Sequence, residues 1–211
     1  MARPSVYLIL LIVACIGMQP ASAQETRLYL GSGVTFPAGP GDVVDFWNRG
    51  LTVDVGVGRR FQDRLEFTAS VGRARLPIAS DKLLAIGADI ETGGGDFAVS
   101  SARLGVRLEF ERGTWFRPYL HVGVGAYRVV YEELEITVAN PQEACGQPTC
   151  SLTFGPAERG SSTVPGMQLG AGIAYYLTDG MWLYAEPSYH IMFATERTGL
   201  VPLRIGIARS F

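Results

Sequence analysis

The chain has 211 residues and a formal net charge of −2, enough for one domain and without the concentrated basic face of a nucleic-acid binder. Its only lysine is Lys82, whereas a soluble β-protein of this size coats its surface with lysine. Beyond the first 23 residues there is no run of 18 or more apolar residues, which excludes a spanning helix.

Residues 1–23 read as a signal peptide: Arg3 supplies the positive start, Val6 to Met18 the apolar run, and Ala21-Ser22-Ala23 the small-residue cleavage site before Gln24. A lipobox at Ile12-Val13-Ala14-Cys15 is the alternative, although it leaves only a short apolar core and an apolar stretch after the acylated cysteine. The expected mature domain is 24–211, with no second domain.

Eight segments then follow without a helical period between them: Thr26–Phe36, Leu51–Phe61, Leu65–Leu76, Phe97–Glu111, Arg117–Tyr131, Pro165–Thr178, Met181–Ala194 and Val201–Phe211. Each is near the length that a tilted membrane strand requires. Tight turns at Gln62-Asp63-Arg64, Arg112 to Phe116 and Asp179-Gly180 alternate with longer links at Pro37 to Gly50, Pro77 to Asp96 and Tyr131 to about Val164, and a shorter one at Glu196 to Leu200. Short turns at one end and long loops at the other describe an all-β, eight-stranded, antiparallel, up-and-down transmembrane β-barrel with its turns in the periplasm.

Cys145 and Cys150, in the long link after Tyr131, sit in ACGQPTC. A close pair in a polar loop of an exported protein is expected to form a disulfide. A metal reading lacks a nearby histidine.

Parity divides each strand into two faces. One carries Leu28, Leu30, Val53, Val55, Leu104, Leu169 and Ile205. The other carries Arg27, Asp54, Arg60, Glu66, Arg103, Arg107, Glu109, His121, Glu186, His190 and Arg204, interleaved with glycines. An eight-stranded interior holds packed side chains or one small ligand, so rows of large aliphatics would overpack it. Glycine alternating with arginine, glutamate and tyrosine suits a narrow, tapering lumen. The polar set therefore faces inward, as a salt-bridged plug or as the lining of a narrow water-filled channel. Nine charges in near balance favour the plug, because an unpaired buried charge is very costly.

Arg59, Arg73 and Arg209 have the outward parity but sit near strand ends. There an arginine costs about 0–1 kcal/mol, against about 2–4 kcal/mol at mid-bilayer. Pro187 falls mid-strand and is read as a bulge. Aromatics gather at strand ends like interfacial girdles: Phe61, Phe110, Trp115, Phe116, Tyr175 and Phe211 on one side, Phe36, Phe46, Trp47 and Phe193 on the other.

FRPYLHVGVGAYRV and MQLGAGIAYYLTDGMWLYAEPSYHIMF resemble the outer-membrane protein β-barrel domain family, the group of small barrels of the outer membrane protein A and X type. The terminal RIGIARSF resembles the signal read by the barrel-assembly machinery, with Arg204, Gly206 and Phe211 fitting and Arg209 standing where an aromatic is usual. The resemblance implies an integral protein of the Gram-negative outer membrane that contacts outer-membrane lipid. Its members are structural, adhesive or protective.

Catalysis by nucleophilic hydrolysis needs a serine, a base and an orienting acid. Glu186, Ser188 and His190 share one face, but that face points inward, away from lipid, and neighbours two apart on one strand are about 7 Å apart at Cα. Two isolated histidines give no metal spacing, and the glycine strings lack the helix that a phosphate loop needs. The expectation is a monomeric, cofactor-free, non-enzymatic barrel that binds an extracellular ligand through its loops, with the apolar tip Phe46-Trp47 and the cysteine loop foremost. A narrow pore is the alternative, and a lipid A-modifying enzyme a further one.

Overall fold

The computed structural model describes residues 25–39, 46–79, 90–110, 115–138, 151–154, 161–178, 180–194 and 197–211. Its strands are β1 (Thr26–Ala38), β2 (Gly50–Gln62), β3 (Leu65–Leu76), β4 (Ile90–Gly94), β5 (Phe97–Glu109), β6 (Phe116–Tyr131), β7 (Leu134–Val138), β8 (Ser151–Phe154), β9 (Ser161–Thr178), β10 (Met181–Phe193) and β11 (Arg197–Ser210). Eight of them close an antiparallel barrel in the order β1-β2-β3-β5-β6-β9-β10-β11. Every neighbour is thus the next spanning strand in the chain, and no edge is left to pair with another molecule. At the seam Arg27 faces Ser210 and Gly31 faces Gly206. The Phe211 amide donates to the Thr26 carbonyl at 2.8 Å and completes the ladder.

The remaining three strands form a separate small sheet in the order β4-β7-β8. They lie within the links read from sequence as loops, at Pro77 to Asp96 and Tyr131 to Val164. Segments of four or five residues are too short to cross a bilayer, so a search for spanning strands passes over them. Leu134–Val138 nonetheless has the alternating β-branched pattern of a strand. Gly94 and Gly95, with φ of 72° and 78°, make the bend between β4 and β5.

The aliphatic rows point outward: Leu51 is 73% exposed, Leu104 66% and Ile205 60%. Arg27, Glu66, Arg107, Glu109, Glu186 and Arg204 are each at most 5% exposed. A continuous girdle of bare aliphatics is what a lipid solvent permits and water does not.

Interior glycines make room for large neighbours across the strand. A side chain at Gly172 would meet the Tyr119 ring, and one at Gly31 the Tyr184 hydroxyl. At Gly166 it would meet the Tyr127 ring, at Gly58 the Glu66 carboxylate. The alternation of glycine with bulky polar residues is thus a packing code in which small positions on one strand receive large ones from the next or, for Gly31 on β1, from β10 across the intervening Gly206 of β11.

Pro187 is not a bulge. Against β11 the pairing runs from Ala185–Ile205 through Pro187–Leu203 to His190–Leu200 without a shift, and against β9 from Ala185–Ile173 to Ser188–Gly170 without one. The β9–β10 irregularity lies instead between Met181 and Trp182. Proline's fixed φ suits an extended strand, so the missing donor interrupts the ladder locally and leaves the register intact.

Candidate functional site

The barrel interior is stacked in layers along its axis. Nearest the turns, Arg27 donates to Glu109 and, through Nε, to Glu25 at 3.0 Å. Arg60 reaches Glu25 at 2.8 Å and Glu109 at 2.9 Å. Arg117 lies 3.6 Å from the same Glu109 and places its guanidinium 4.6 Å from the Trp182 ring centre. Glu25 and Arg117 were not among the expected interior charges. Arg117 shares the parity of Tyr119 and His121, and that signal could have found it; Glu25 precedes the first strand, where parity says nothing.

In the next layer the Arg107 guanidinium sits between the Tyr29 and Tyr119 rings, 4.4 and 4.0 Å from their centres. The Tyr29 hydroxyl donates to Glu66 at 2.6 Å, and Arg27 lies 3.7 Å from the same carboxylate. Above it Glu186 gathers Arg204, Arg107 at 3.7 Å and His121 at 3.5 Å. Asp54 accepts from Arg103 and lies 3.2 Å from Arg204. Arg103 also donates to the Gln168 carbonyl oxygen at 2.8 Å, and the Gln168 amide contacts His121 at 2.9 Å. Among the described residues, six arginines and five carboxylates therefore meet inside the barrel in alternating contact. Two cavities among the described residues of this region are about 20 Å³ each, the room of about one water molecule.

The last layer was not anticipated. At the loop end the inward positions turn apolar: Leu76, Phe97, Val99, Val129, Met192 and Leu200 pack together with Tyr127 and Ala74. Leu76, Phe97 and Met192 are wholly buried. Trp47 closes over this cluster, 5.3 Å from the Phe97 ring and 5.7 Å from Tyr131, while its indole N–H donates to the Gly95 carbonyl at 2.9 Å. Trp47 is thus a bolt across the barrel mouth and not the free apolar tip expected from sequence. Phe46 alone of the pair stays exposed.

The structure brings Ser188 and His190 together, with Oγ 3.2 Å from Nε2. The other ring nitrogen faces the Tyr127 hydroxyl at 3.5 Å, and Glu186 is engaged by Arg204 instead. Serine, histidine and acid therefore do not assemble as a triad, and Ser188 and His190 are both buried inside the lumen.

Of the terminal pattern, Arg204 is part of the buried network and Gly206 admits the Tyr184 ring. Phe211 is 66% exposed at the turn end, with Arg209 5.3 Å from its ring centre. Cys145, Cys150 and residues 1–23 lie outside the described residues.

Solved barrels share this architecture. Neisserial surface protein A (NspA) superposes with a TM-score of 0.57 at 15% identity, covering 92% of this chain and 100% of that one. Ail, the attachment invasion locus protein of Yersinia pestis, gives 0.50 at 13% identity, covering 90% and 100%. The outer membrane protein OprG from Pseudomonas aeruginosa gives 0.50 at 15%, covering 92% and 99%. Identities this low speak to the fold alone. No curated protein matches the sequence. The sequence profile of the outer membrane protein β-barrel domain matches residues 8–200. With its outward aliphatic girdle and closed eight-stranded sheet, the chain belongs to the outer membrane protein β-barrel domain family.

Proposed function

We propose that this protein is exported through a cleaved leader at residues 1–23 and acts in the outer membrane as a closed, non-enzymatic monomeric scaffold. The loops at its outer end bind an extracellular ligand, the one around Cys145 and Cys150 tied by a disulfide. The barrel-assembly machinery receives it through its C-terminal strand.

The observation that carries this reading is the filled lumen. Ion-paired layers occupy the inner part, and an apolar layer under Trp47 occupies the outer mouth. A solute would have to separate buried ion pairs and then cross a dry apolar constriction. With the interior closed and surface loops carried on a rigid frame, recognition falls to the loops.

Planar-bilayer recording tests this on the folded full chain. No discrete channel events are expected at moderate voltage. Stepwise conductance, abolished when the protein is unfolded, would replace the scaffold reading with a narrow pore.

A further inference from the structure

We propose that the outward face of β3, β5 and β6 at the loop end holds the phosphate of an anionic lipid in the outer leaflet. The strand register carries it. Arg73 on β3 pairs with Ser100 on β5, which pairs with Arg128 on β6. All three are exposed, so they form one outward row across three adjacent strands. At about 4.8 Å per strand the two arginine backbones stand about 10 Å apart. Long flexible guanidinium arms can therefore converge above the Ser100 hydroxyl, which adds a third donor.

The two charges are available. Nearby Arg75 is neutralised by Asp96 at 2.6 Å and Glu132 at 3.3 Å. Among the described residues, neither Arg73 nor Arg128 meets a carboxylate. A guanidinium fork matches phosphate geometry through paired charge-assisted hydrogen bonds.

The row below identifies the anion as a lipid's. Val71, Ala102 and Ala126 are paired directly beneath the arginine row and point outward. The two alanines leave a shallow apolar step where an acyl chain can lie below its own phosphate. On β10, across the barrel, the outward face carries large side chains at the same end, with Tyr189 42% and Phe193 45% exposed. Beside them on β11 a single exposed arginine, Arg197, faces Phe193, so among the described residues it is the β3–β5–β6 face that sets two arginines in one row with a hydroxyl between them. The opposite end offers a built-in control, since Arg59 and Arg209 face outward near the turns and Arg209 lies over Phe211.

The test is a native mass-spectrometry titration of the folded full chain in neutral detergent, with diphosphorylated lipid A against the same lipid after dephosphorylation. Wild type should retain the phosphorylated form about tenfold more tightly, and R73Q/R128Q should lose that preference while R59Q/R209Q keeps it. Folding of each variant is read from heat-modifiable gel mobility. If the double variant does not fold, R73Q and R128Q singly carry the comparison, each with a loss of about threefold. An unchanged preference in the arginine variants, or an equal loss in R59Q/R209Q, overturns the site. Displacement of the lipid by an equal concentration of inorganic phosphate would assign the arginines to a free anion and overturn the lipid assignment.

Discussion

Glu186 meets three cationic or protonatable partners in a space that admits almost no water, with Arg204, Arg107 and His121 around one carboxylate. Removing its charge leaves Arg204 and Arg107 buried and undercompensated, which is the expensive way to break an ion pair. E186Q is expected to lower the unfolding free energy by about 3–5 kcal/mol. The double variant E186Q/R204M removes both charges and should recover part of that loss, the coupling being read from urea midpoints. Additive losses would mean that the two residues do not act as a pair. The inward placement of Glu186 was readable from its parity, one step from the outward Ala185 and Pro187. Its choice of Arg204 over His190, four residues along the same strand, was not, because only the β10–β11 register sets Arg204 directly opposite Glu186.

At the scale of the strand, side-chain size alternates as strictly as polarity. Gly33 and Gly56 both lie in barrel strands, yet they differ in what a methyl group would meet. At Gly33 it would run into the backbone carbonyl of Leu203 and the Arg204 Cα, which cannot swing aside. At Gly56 its closest contacts are the Ala69 carbonyl oxygen and the Ser70 Cβ, both 3.1 Å away, where small adjustments suffice. G33A should therefore destabilise by about 1–3 kcal/mol through forced strand separation, and G56A by less than about 1 kcal/mol. Equal urea midpoints for the two variants would show that interstrand closeness at Gly33 carries no energetic weight. The spanning strands were legible because two-residue alternation persists for a dozen residues, with ends within a few residues of those observed. β4, β7 and β8 were not, since five residues of alternation hardly differ from a loop, and Pro187 misled because a missing donor does not require an extra residue.

For the molecule as a whole, closure depends on the seam between β1 and β11, where Glu25 joins Arg27, Arg60 and the Ser210 hydroxyl. Burial pushes the Glu25 carboxyl up, but the Ser210 hydrogen bond and the two guanidiniums outweigh it and hold it below the ordinary 4.5. A carboxyl with a folded pKa below its unfolded one stabilises fully above the unfolded value, and that contribution is lost as pH falls through the folded one. Wild type should thus exceed E25Q in urea midpoint at about pH 7, and the gap should close towards about pH 3. A gap that holds constant or widens on acidification would remove Glu25 from the seam's electrostatics.

Which side chains touch lipid and which touch one another across the lumen follows from alternation together with the narrowness of an eight-stranded lumen, because neighbouring positions take opposite faces and rows of large aliphatics would overpack the inside. Local sequence therefore suffices to sort Leu104 from Arg103 and Ile205 from Arg204. Which charge answers which, and that Leu76 and Phe97 meet Met192 and Leu200 beneath Trp47 to seal the mouth, depends on barrel closure. Curvature and strand stagger bring together residues more than a hundred positions apart, and no local pattern records those distances.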